Sequence, residues 1–230
     1  MRILKWFALI LLTAIGLAGP ARAQTLPGGF AFLRDIDPTI LQDIRYAGVN
    51  NFTGRPLAGY GAAECVAKHD IGLALKRVQA ELAHQKLSLK MLDCYRPARA
   101  VHDMVLWAQN GRETPAERRY NPAFSKQDLF RLGYIARSSG HSKGIAVDTG
   151  AERLDGKSEA SPIDFGGGFD LFDRKSWTAS TAVSSEAAAN RRVLVAAFAA
   201  HGLVNYAREW WHYSLPGLAK APAYDVVIRP

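Results

Sequence analysis

The chain has 230 residues, of which 48% are hydrophobic and 22% are charged, and its formal net charge is +8. These values are typical of a globular protein with ample length for a hydrophobic core, and they exclude a disordered or low-complexity chain. No stretch of the sequence is dense in Lys and Arg with interleaved aromatic residues, so we expect no nucleic-acid partner.

Residues 1–23 have the pattern of a secretory signal peptide. Arg2 and Lys5 form a basic start, residues 7–18 are an apolar run, and residues 21–23, with the sequence Ala-Arg-Ala, form a small-x-small cleavage site. The run is too short and wrongly flanked for a transmembrane helix. An uncleaved anchor is the alternative, which the cleavage site disfavours, and lipidation is excluded because no Cys follows the run.

Cleavage would leave residues 24–230 as one exported, periplasmic domain without stable membrane insertion. This mature chain would keep 207 residues and a formal charge of +5, since two Arg and one Lys leave with the signal peptide. It holds two cysteines, Cys65 and Cys94, and an even number of cysteines in an exported chain suggests one disulfide bond. Two buried free thiols are the alternative.

The first part of the mature chain predicts short strands and then an amphipathic helix. Residues 30–33 and 44–46 are short apolar runs typical of strands or extended segments, and residues 50–56 form a loop rich in Asn, Gly and Pro. Residues 66–86 predict a helix because apolar side chains recur at helical spacing. These side chains are Ile71, Leu75, Val78 and Leu82.

A strand and a second helix follow. Residues 87–91 alternate between apolar and polar side chains, which predicts a strand that leads to Arg96. Pro97 fits the first turn of a helix that ends near Gly111. Arg96 would therefore lie at a rigid junction between a strand and a helix.

The second half of the chain predicts a buried strand, a glycine-rich segment and a helix. Residues 145–147 form a short apolar run, with Asp148 at the far end of the strand. Residues 161–170 contain three consecutive glycines and are expected to be flexible. Residues 184–200 predict a helix that begins after a serine and stops at Gly202. The core face predicted for this helix consists of Val193, Leu194, Ala197, Phe198 and Ala200.

Two segments carry residues with the chemistry of a metal site. In the first, His141 and Asp148 are seven residues apart, and two glycines between Ser139 and Asp148 let the chain turn back. In the second, Glu209 precedes His212 by three residues, a spacing that cannot place both on one face of a straight strand. We therefore expect Glu209 in a turn and His212 on the strand that follows it. Each pair alone is a common loop pattern, but together they supply the three ligands and the free carboxylate of a catalytic zinc site.

These residues, with Arg96 in a Tyr-Arg-Pro context, resemble the zinc D-alanyl-D-alanine dipeptidases of the vancomycin-resistance type, within the wider family of D,D-peptidases. The family pattern is Ser-x-His-x6-Asp followed by Glu-x-x-His, and the chain contains all of it in order. The resemblance implies one zinc ion per chain, held by His141, Asp148 and His212. This ligand set also accepts cobalt, nickel or iron.

The resemblance also implies roles for four further residues. Glu209 would take a proton from the attacking water and pass it to the leaving amine, and Arg96 would stabilise the oxyanion. Ser139 would hydrogen-bond to the substrate, and Asp170, in a Phe-Asp-x-x-Asp segment, would hold the free amino group of the substrate. The alternatives are a solvated helix cap for Arg96 and a turn residue or helix cap for Asp170.

The fold that the resemblance implies is α+β, with a small, mainly antiparallel sheet that carries the zinc ligands and helices packed around it. The expected activity is hydrolysis of the D-Ala-D-Ala dipeptide derived from peptidoglycan, for scavenging or turnover outside the cytoplasm. Two alternatives stay open: a zinc D,D- or L,D-carboxypeptidase that acts on peptidoglycan stem peptides, and a non-catalytic wall- or zinc-binding protein. An intact Glu209 and Arg96 argue against the last, because binding alone needs neither. No oligomeric state is predicted.

Overall fold

The computed structural model of the chain describes residues 25–154, 161–217 and 220–230. The signal peptide predicted for residues 1–23 lies outside these ranges, so its cleavage and a domain that begins at residue 24 stay predictions. None of the described helices is long and apolar enough to cross a membrane.

Short strands and helices alternate along the described chain. The strands are β1 Phe30–Phe32, β2 Leu41–Gln42, β3 Val66–Lys68, β4 Leu87–Asp93, β5 Ala146–Arg153, β6 Ser161–Pro162, β7 Val204–Asn205 and β8 His212–Ser214. The α-helices are α1 Leu33–Ile36, α2 His69–Ala83, α3 Ala98–Gln109, α4 Pro115–Arg118, α5 Asp128–Leu132 and α6 Ser185–Ala200.

A six-stranded sheet forms the centre of the protein. Its strands follow the order β2-β4-β5-β8-β7, and β6 pairs with the far end of β5. Within the described residues, β2 and β4 pair in parallel and the other pairings of this sheet are antiparallel. A separate two-stranded sheet joins β1 and β3. The predicted α+β fold with a mainly antiparallel sheet is therefore confirmed.

Helix α2 packs on the sheet with the apolar face that its sequence predicts. All four apolar residues predicted for the core face of α2 are fully buried, and so are Leu89 and Met91 of the adjacent strand β4. The helix begins at His69 rather than at residue 66, because residues 66–68 pair with β1 as strand β3. In α6, Ser184 accepts a hydrogen bond from the backbone N–H of Ala187 at 3.0 Å and begins the helix, as predicted.

Three further details of the predicted elements are wrong. Residues 45–47 form a 3-10 turn rather than a strand, because Asn51 Nδ2 donates to Arg45 O and Gly48 O and so satisfies carbonyls that a strand would offer to a neighbour. Strand β5 continues past Asp148 to Arg153, because its second half pairs with β4. In α6, Val193 is only half-buried and Ala200 is exposed. The buried face consists of Ala187, Arg191, Leu194, Ala197 and Phe198.

The predicted disulfide bond between Cys65 and Cys94 is present in the structure. Cys65 directly precedes β3 of the small sheet, and Cys94 directly follows β4 of the main sheet. Both cysteines are buried, so the bond lies within the core. The disulfide therefore fastens the two sheets together at the start of the segment that leads to Arg96.

We expect the double variant Cys65→Ala/Cys94→Ala to fold with a free energy of unfolding lower by about 3–4 kcal/mol, the chain-entropy value for closing a loop between cysteines that are 29 residues apart. Urea unfolding of wild type and variant, followed by circular dichroism, measures the difference. Mass spectrometry of unreduced peptides tests the bond itself. Two free thiols in protein taken from an oxidising compartment would contradict it.

Candidate metal centre and active site

The register of β5 and β8 brings two of the predicted ligands together. Asp148 pairs directly with His212, and the preceding pair is Val147 with Tyr213. Since neighbouring residues of a strand point to opposite faces, Asp148 and His212 share one face, with Cβ atoms about 5 Å apart. Tyr213 lies on the other face, where its ring stacks on Phe198 of α6 at 3.9 Å between centroids.

A β-bulge adds a second carboxylate to this face. Strand β4 pairs with β5 at Met91 and Thr149, and one extra residue is then inserted, so that Asp93 rather than Leu92 lies opposite Asp148. Bulges re-aim side chains in this way, often beside active sites. As a result, Asp93, Asp148 and His212 form a row across three adjacent strands. The predicted ligands Asp148 and His212 thus lie on the sheet, as expected from the sequence.

The third predicted ligand, His141, lies in a 3-10 turn before β5 and not in the sheet. This turn ends at Gly144, which has a φ of +69°, and a Cβ there would collide with the ring of Phe30. His141 Nδ1 lies 2.7 Å from Cys94 O. Because a carbonyl oxygen can only accept, Nδ1 carries the hydrogen, and Nε2 is left to face Asp148 and His212.

The three side chains present a nitrogen–oxygen cluster that fits a tetrahedral metal ion. His141 Nε2 lies 3.2 Å from His212 Nδ1 and 3.3 Å from Asp148 Oδ2, and His212 Nδ1 lies 2.9 Å from Asp148 Oδ1. Two ligand atoms at tetrahedral positions, each about 2.0–2.1 Å from zinc, are about 3.3 Å apart. His141 and Asp148 are buried and His212 is partly buried. The chain can therefore hold a metal ion here without a large rearrangement.

Glu209 lies in the connection between β7 and β8, as predicted, with Oε2 at 3.7 Å from His212 Nδ1. Its backbone is fixed because its N–H donates to Tyr206 O at 2.9 Å and its carbonyl accepts from Asn205 Nδ2 at 3.0 Å. Burial, and then the negative charge of Asp148, raise the pKa of Glu209 to about 8. The carboxyl group of Glu209 is thus held beside the cluster, but it lies farther from His212 than the three predicted ligands lie from one another.

Arg96 is held by carboxylates on the same face of the sheet. Its Nε and Nη2 contact Asp93 Oδ2 at 2.9 and 2.8 Å, and Nη2 lies 3.4 Å from Asp148 Oδ2. Burial alone would lower the pKa of Arg96, but the surrounding groups together outweigh it and raise that pKa well above its ordinary value. Asp93 makes the largest contribution among them, and Tyr46, Tyr60 and Asp148 add to it. Among the described residues, the hydrogen-bond partner identified for Nη1 is the sulfur of Met104, at 3.4 Å, and sulfur is a weak acceptor. The guanidinium is therefore rigid, with Nη1 the nitrogen that has the weakest partner.

A cavity of about 210 Å³ opens onto the cluster and contains every residue predicted for the site. Ser139 lies at its edge, where its Oγ accepts the backbone N–H of His141 at 3.2 Å. Asp170 lies in its wall, where the Tyr46 hydroxyl is 2.9 and 3.0 Å from the two carboxylate oxygens. Burial, and then the charge of Asp148, raise the pKa of Asp170 well above its ordinary value.

Charge balance also favours a cation in this cavity. Four carboxylates belong to the site: Asp93, Asp148, Asp170 and Glu209. Arg96 is the one Lys or Arg among the described residues that line the cavity. Buried carboxylates without compensating charge are costly, so a divalent cation at the cluster would offset two of these negative charges.

Sequence reasoning missed two residues that organise the site. Asp93 anchors Arg96, and a carboxylate three residues before that arginine, at the end of an apolar strand, was the available signal. Tyr46 contacts Asp170 across a separation of 124 residues, and no local pattern indicates such a contact. Of the two tryptophans beside Glu209, Trp211 lines the cavity, whereas Trp210 lines a second cavity nearby.

Comparison with known proteins agrees with this geometry. The family model described as D-ala-D-ala dipeptidase, peptidase family M15, matches residues 27–229. The chain is 37% identical over 190 residues to the D-alanyl-D-alanine dipeptidase of Streptomyces coelicolor, which covers 83% of this chain and 93% of that protein. It is 35% identical over 187 residues to the enzyme of the same name from Enterococcus faecium, covering 81% and 91% of the two chains, and 31% identical over 190 residues to that of Enterococcus faecalis, covering 83% and 93%.

The observed site is of the type that this family needs. A metallopeptidase requires a cluster of nitrogen and oxygen ligands that opens onto a substrate cavity, and the structure has both. The match to the family model spans nearly all of the described chain. The chain therefore belongs to the D-ala-D-ala dipeptidase family of metallopeptidases and is an enzyme.

Proposed function

We propose that this enzyme hydrolyses the dipeptide D-alanyl-D-alanine with one zinc ion per chain, held by His141, Asp148 and His212. The observation that carries the proposal is the content of a single cavity, which combines the three ligands with a free carboxylate, a fixed guanidinium and a second buried carboxylate. When bound, zinc supplies a Lewis acid that polarises the scissile carbonyl and makes water a nucleophile near neutral pH.

In this proposal, Glu209 moves the protons. Its carboxylate takes one proton from the attacking water and delivers it to the nitrogen of the leaving amine, so that the peptide bond breaks with no net change at the enzyme. The short connection between β7 and β8 supports this role, because two backbone hydrogen bonds fix the position of Glu209 beside His212.

Arg96 stabilises the negative charge that develops on the carbonyl oxygen. A donor that is already fixed in place needs no reorganisation when charge develops, which makes it more effective than a mobile one. The contacts of Nε and Nη2 with Asp93 give Arg96 this rigidity, and Nη1 is the nitrogen proposed to face the substrate.

Asp170 and Ser139 bind the substrate in this proposal. The Asp170 carboxylate, with the Tyr46 hydroxyl beside it, would accept hydrogen bonds from the free ammonium group of a dipeptide. Ser139 Oγ accepts a backbone N–H and keeps its own hydrogen available to donate to the substrate. A buried carboxylate in the wall favours a substrate with a free amino group close to the scissile bond.

The metal ligands are tested by His212→Ala. We expect wild-type protein to carry about one zinc per chain and the variant to lose most of it, because two ligands remain from the three that a catalytic zinc site requires. Metal analysis of the purified proteins measures the content. His84→Ala, at the exposed end of α2, is the matched control and should keep its zinc. Full occupancy in His212→Ala would remove His212 from the site.

The proposed catalytic roles are tested by Glu209→Ala and Arg96→Ala. Both variants should keep the metal, and Glu209→Ala should lose about 10²–10⁴-fold in kcat, the scale for a positioned general base. Arg96→Ala should lower kcat more than it raises KM, because its partner charge exists only in the transition state. Steady-state hydrolysis of D-Ala-D-Ala measures both, and Glu186→Ala, exposed on α6, is the control.

Since Arg96→Ala leaves Asp93 buried without its partner, thermal unfolding and the Arg96→Lys variant accompany that measurement. A change in KM alone would contradict the role of Arg96 at the oxyanion. Longer peptides that end in D-Ala-D-Ala, assayed beside the dipeptide, test the carboxypeptidase alternative. Faster hydrolysis of the longer peptides would favour that alternative.

We further propose that the enzyme acts in the periplasm on dipeptide released from peptidoglycan. Full-length protein expressed in a Gram-negative host should appear in the periplasmic fraction with Gln24 as its first residue, because residues 1–23 are removed on export. Deletion of residues 2–23 should keep the protein in the cytoplasm. Intact mass and fractionation measure both outcomes. A full-length chain that stays in the cytoplasm would contradict this location.

A further inference from the structure

One backbone carbonyl connects the disulfide bond to a proposed metal ligand. Cys94 O accepts the Nδ1–H of His141 at 2.7 Å, and both residues are almost fully buried. Cys94 belongs to the irregular segment between β4 and α3, beyond the last residue that pairs with β5. The direction of this carbonyl therefore depends on whatever else holds the segment.

Two of the links that hold it lead to the small sheet, while elsewhere in the segment Arg96 N–H donates to His141 O at 3.3 Å and the Tyr95 hydroxyl accepts from Val226 N–H at 2.8 Å. One is the covalent bond from Cys94 to Cys65, and the other is the hydrogen bond from Tyr95 N–H to Val66 O at 2.7 Å. Cys65 is itself fixed, because its N–H donates to Gln42 Oε1 at 2.6 Å. The links are adjacent in sequence on both sides, so the disulfide limits rotation of the peptide unit that carries Cys94 O.

We propose that the Cys65–Cys94 disulfide positions His141 for metal binding. By holding Cys94 O in place, it keeps the hydrogen of His141 on Nδ1 and leaves Nε2 facing Asp148 and His212. This inference rests on the ligand set proposed above. Outer hydrogen bonds of this kind fix the tautomer and orientation of a metal-ligating histidine, and their loss typically costs about 10–100-fold in metal affinity.

The expected effect of removing the disulfide is about a tenfold weaker affinity for zinc, at the lower end of that range, because the carbonyl of residue 94 is kept. This effect differs from ordinary stabilisation. In the chain-entropy model, a disulfide stabilises mainly by restricting the unfolded chain. Its loss would then leave the metal affinity of the folded protein unchanged, unless the folded position of the carbonyl also changes.

The experiment compares wild type, Cys65→Ala/Cys94→Ala and Leu82→Ala by competition with a chromophoric zinc chelator. It is carried out at a temperature at which circular dichroism finds all three folded. Leu82 is fully buried in α2, and its truncation should cost about 2–5 kcal/mol of stability, which matches the loss expected for the disulfide. We expect the Kd for zinc to rise about tenfold in the cysteine variant and to stay unchanged in Leu82→Ala.

Equal Kd values in wild type and the cysteine variant would overturn the inference, and so would equal weakening in both variants. A second measurement needs no variant. Nitrogen-15 NMR of metal-free wild type, at a pH at which the imidazole is neutral, should find His141 protonated on Nδ1. A proton on Nε2, or a mixture of both forms, would also overturn it.

Failure of the proposed function gives a different result. If wild type bound no zinc, or if His141→Ala bound it as tightly as wild type, the ligand set itself would be wrong. If wild type bound zinc through His141 while the cysteine variant bound it equally well, the ligand set would stand and only the role of the disulfide would fall.

Discussion

The register of β5 against its two neighbours determines where the chemistry of this protein lies. Asp148 pairs with His212 on one side and, through the bulge in β4, with Asp93 on the other. A slip of one residue between β5 and β8 would bring the opposite set of side chains to this face, because side chains alternate along a strand. The stacking of Tyr213 on Phe198 resists that slip by burying the other face against α6. Apolar packing on one side thus fixes the polar site on the other.

Asp93 and Asp148 place two buried carboxyl groups side by side on this face, and the neighbouring residues offset their mutual repulsion only in part. Burial alone would raise the pKa of Asp148, but the charges and hydrogen bonds of His141 and His212 lower it below its ordinary value. For Asp93, burial has the larger effect, and its pKa stays raised although Arg96 and His141 oppose the shift. Arg96 bridges both carboxylates and is itself held by them. A cation at the cluster would relieve this repulsion where Arg96 does not.

Much of this arrangement could be predicted from the sequence, but only where the signals are local. The apolar spacing of α2, the alternation in β4 and the His-x6-Asp and Glu-x-x-His spacings predicted elements and ligands that the structure brings together. The bulge that places Asp93 beside Asp148 has no such signal, because it depends on how two strands pair. The strand or extended segment predicted for residues 44–46 was wrong for the same kind of reason, since the side chain of Asn51 decides the conformation there. Contacts between distant segments, such as Tyr46 with Asp170, depend on the folded chain as a whole.

Asp170 has the most unusual combination of backbone conformation and burial among the residues of the site. This residue combines a left-handed φ of +61° with a buried carboxylate, whereas the other non-glycine residue with positive φ in the described chain, Lys86, is exposed in a turn. A strained backbone typically costs about 1–3 kcal/mol and persists where surrounding structure enforces it. The Tyr46 hydroxyl gives Asp170 hydrogen bonds but no positive charge. In the proposed function, that charge comes from the ammonium group of the substrate. A free dipeptide carries such a group one residue from its scissile bond, whereas a stem peptide has a neutral amide there. Under the proposed function, the buried carboxyl group of Asp170 would therefore select for the dipeptide.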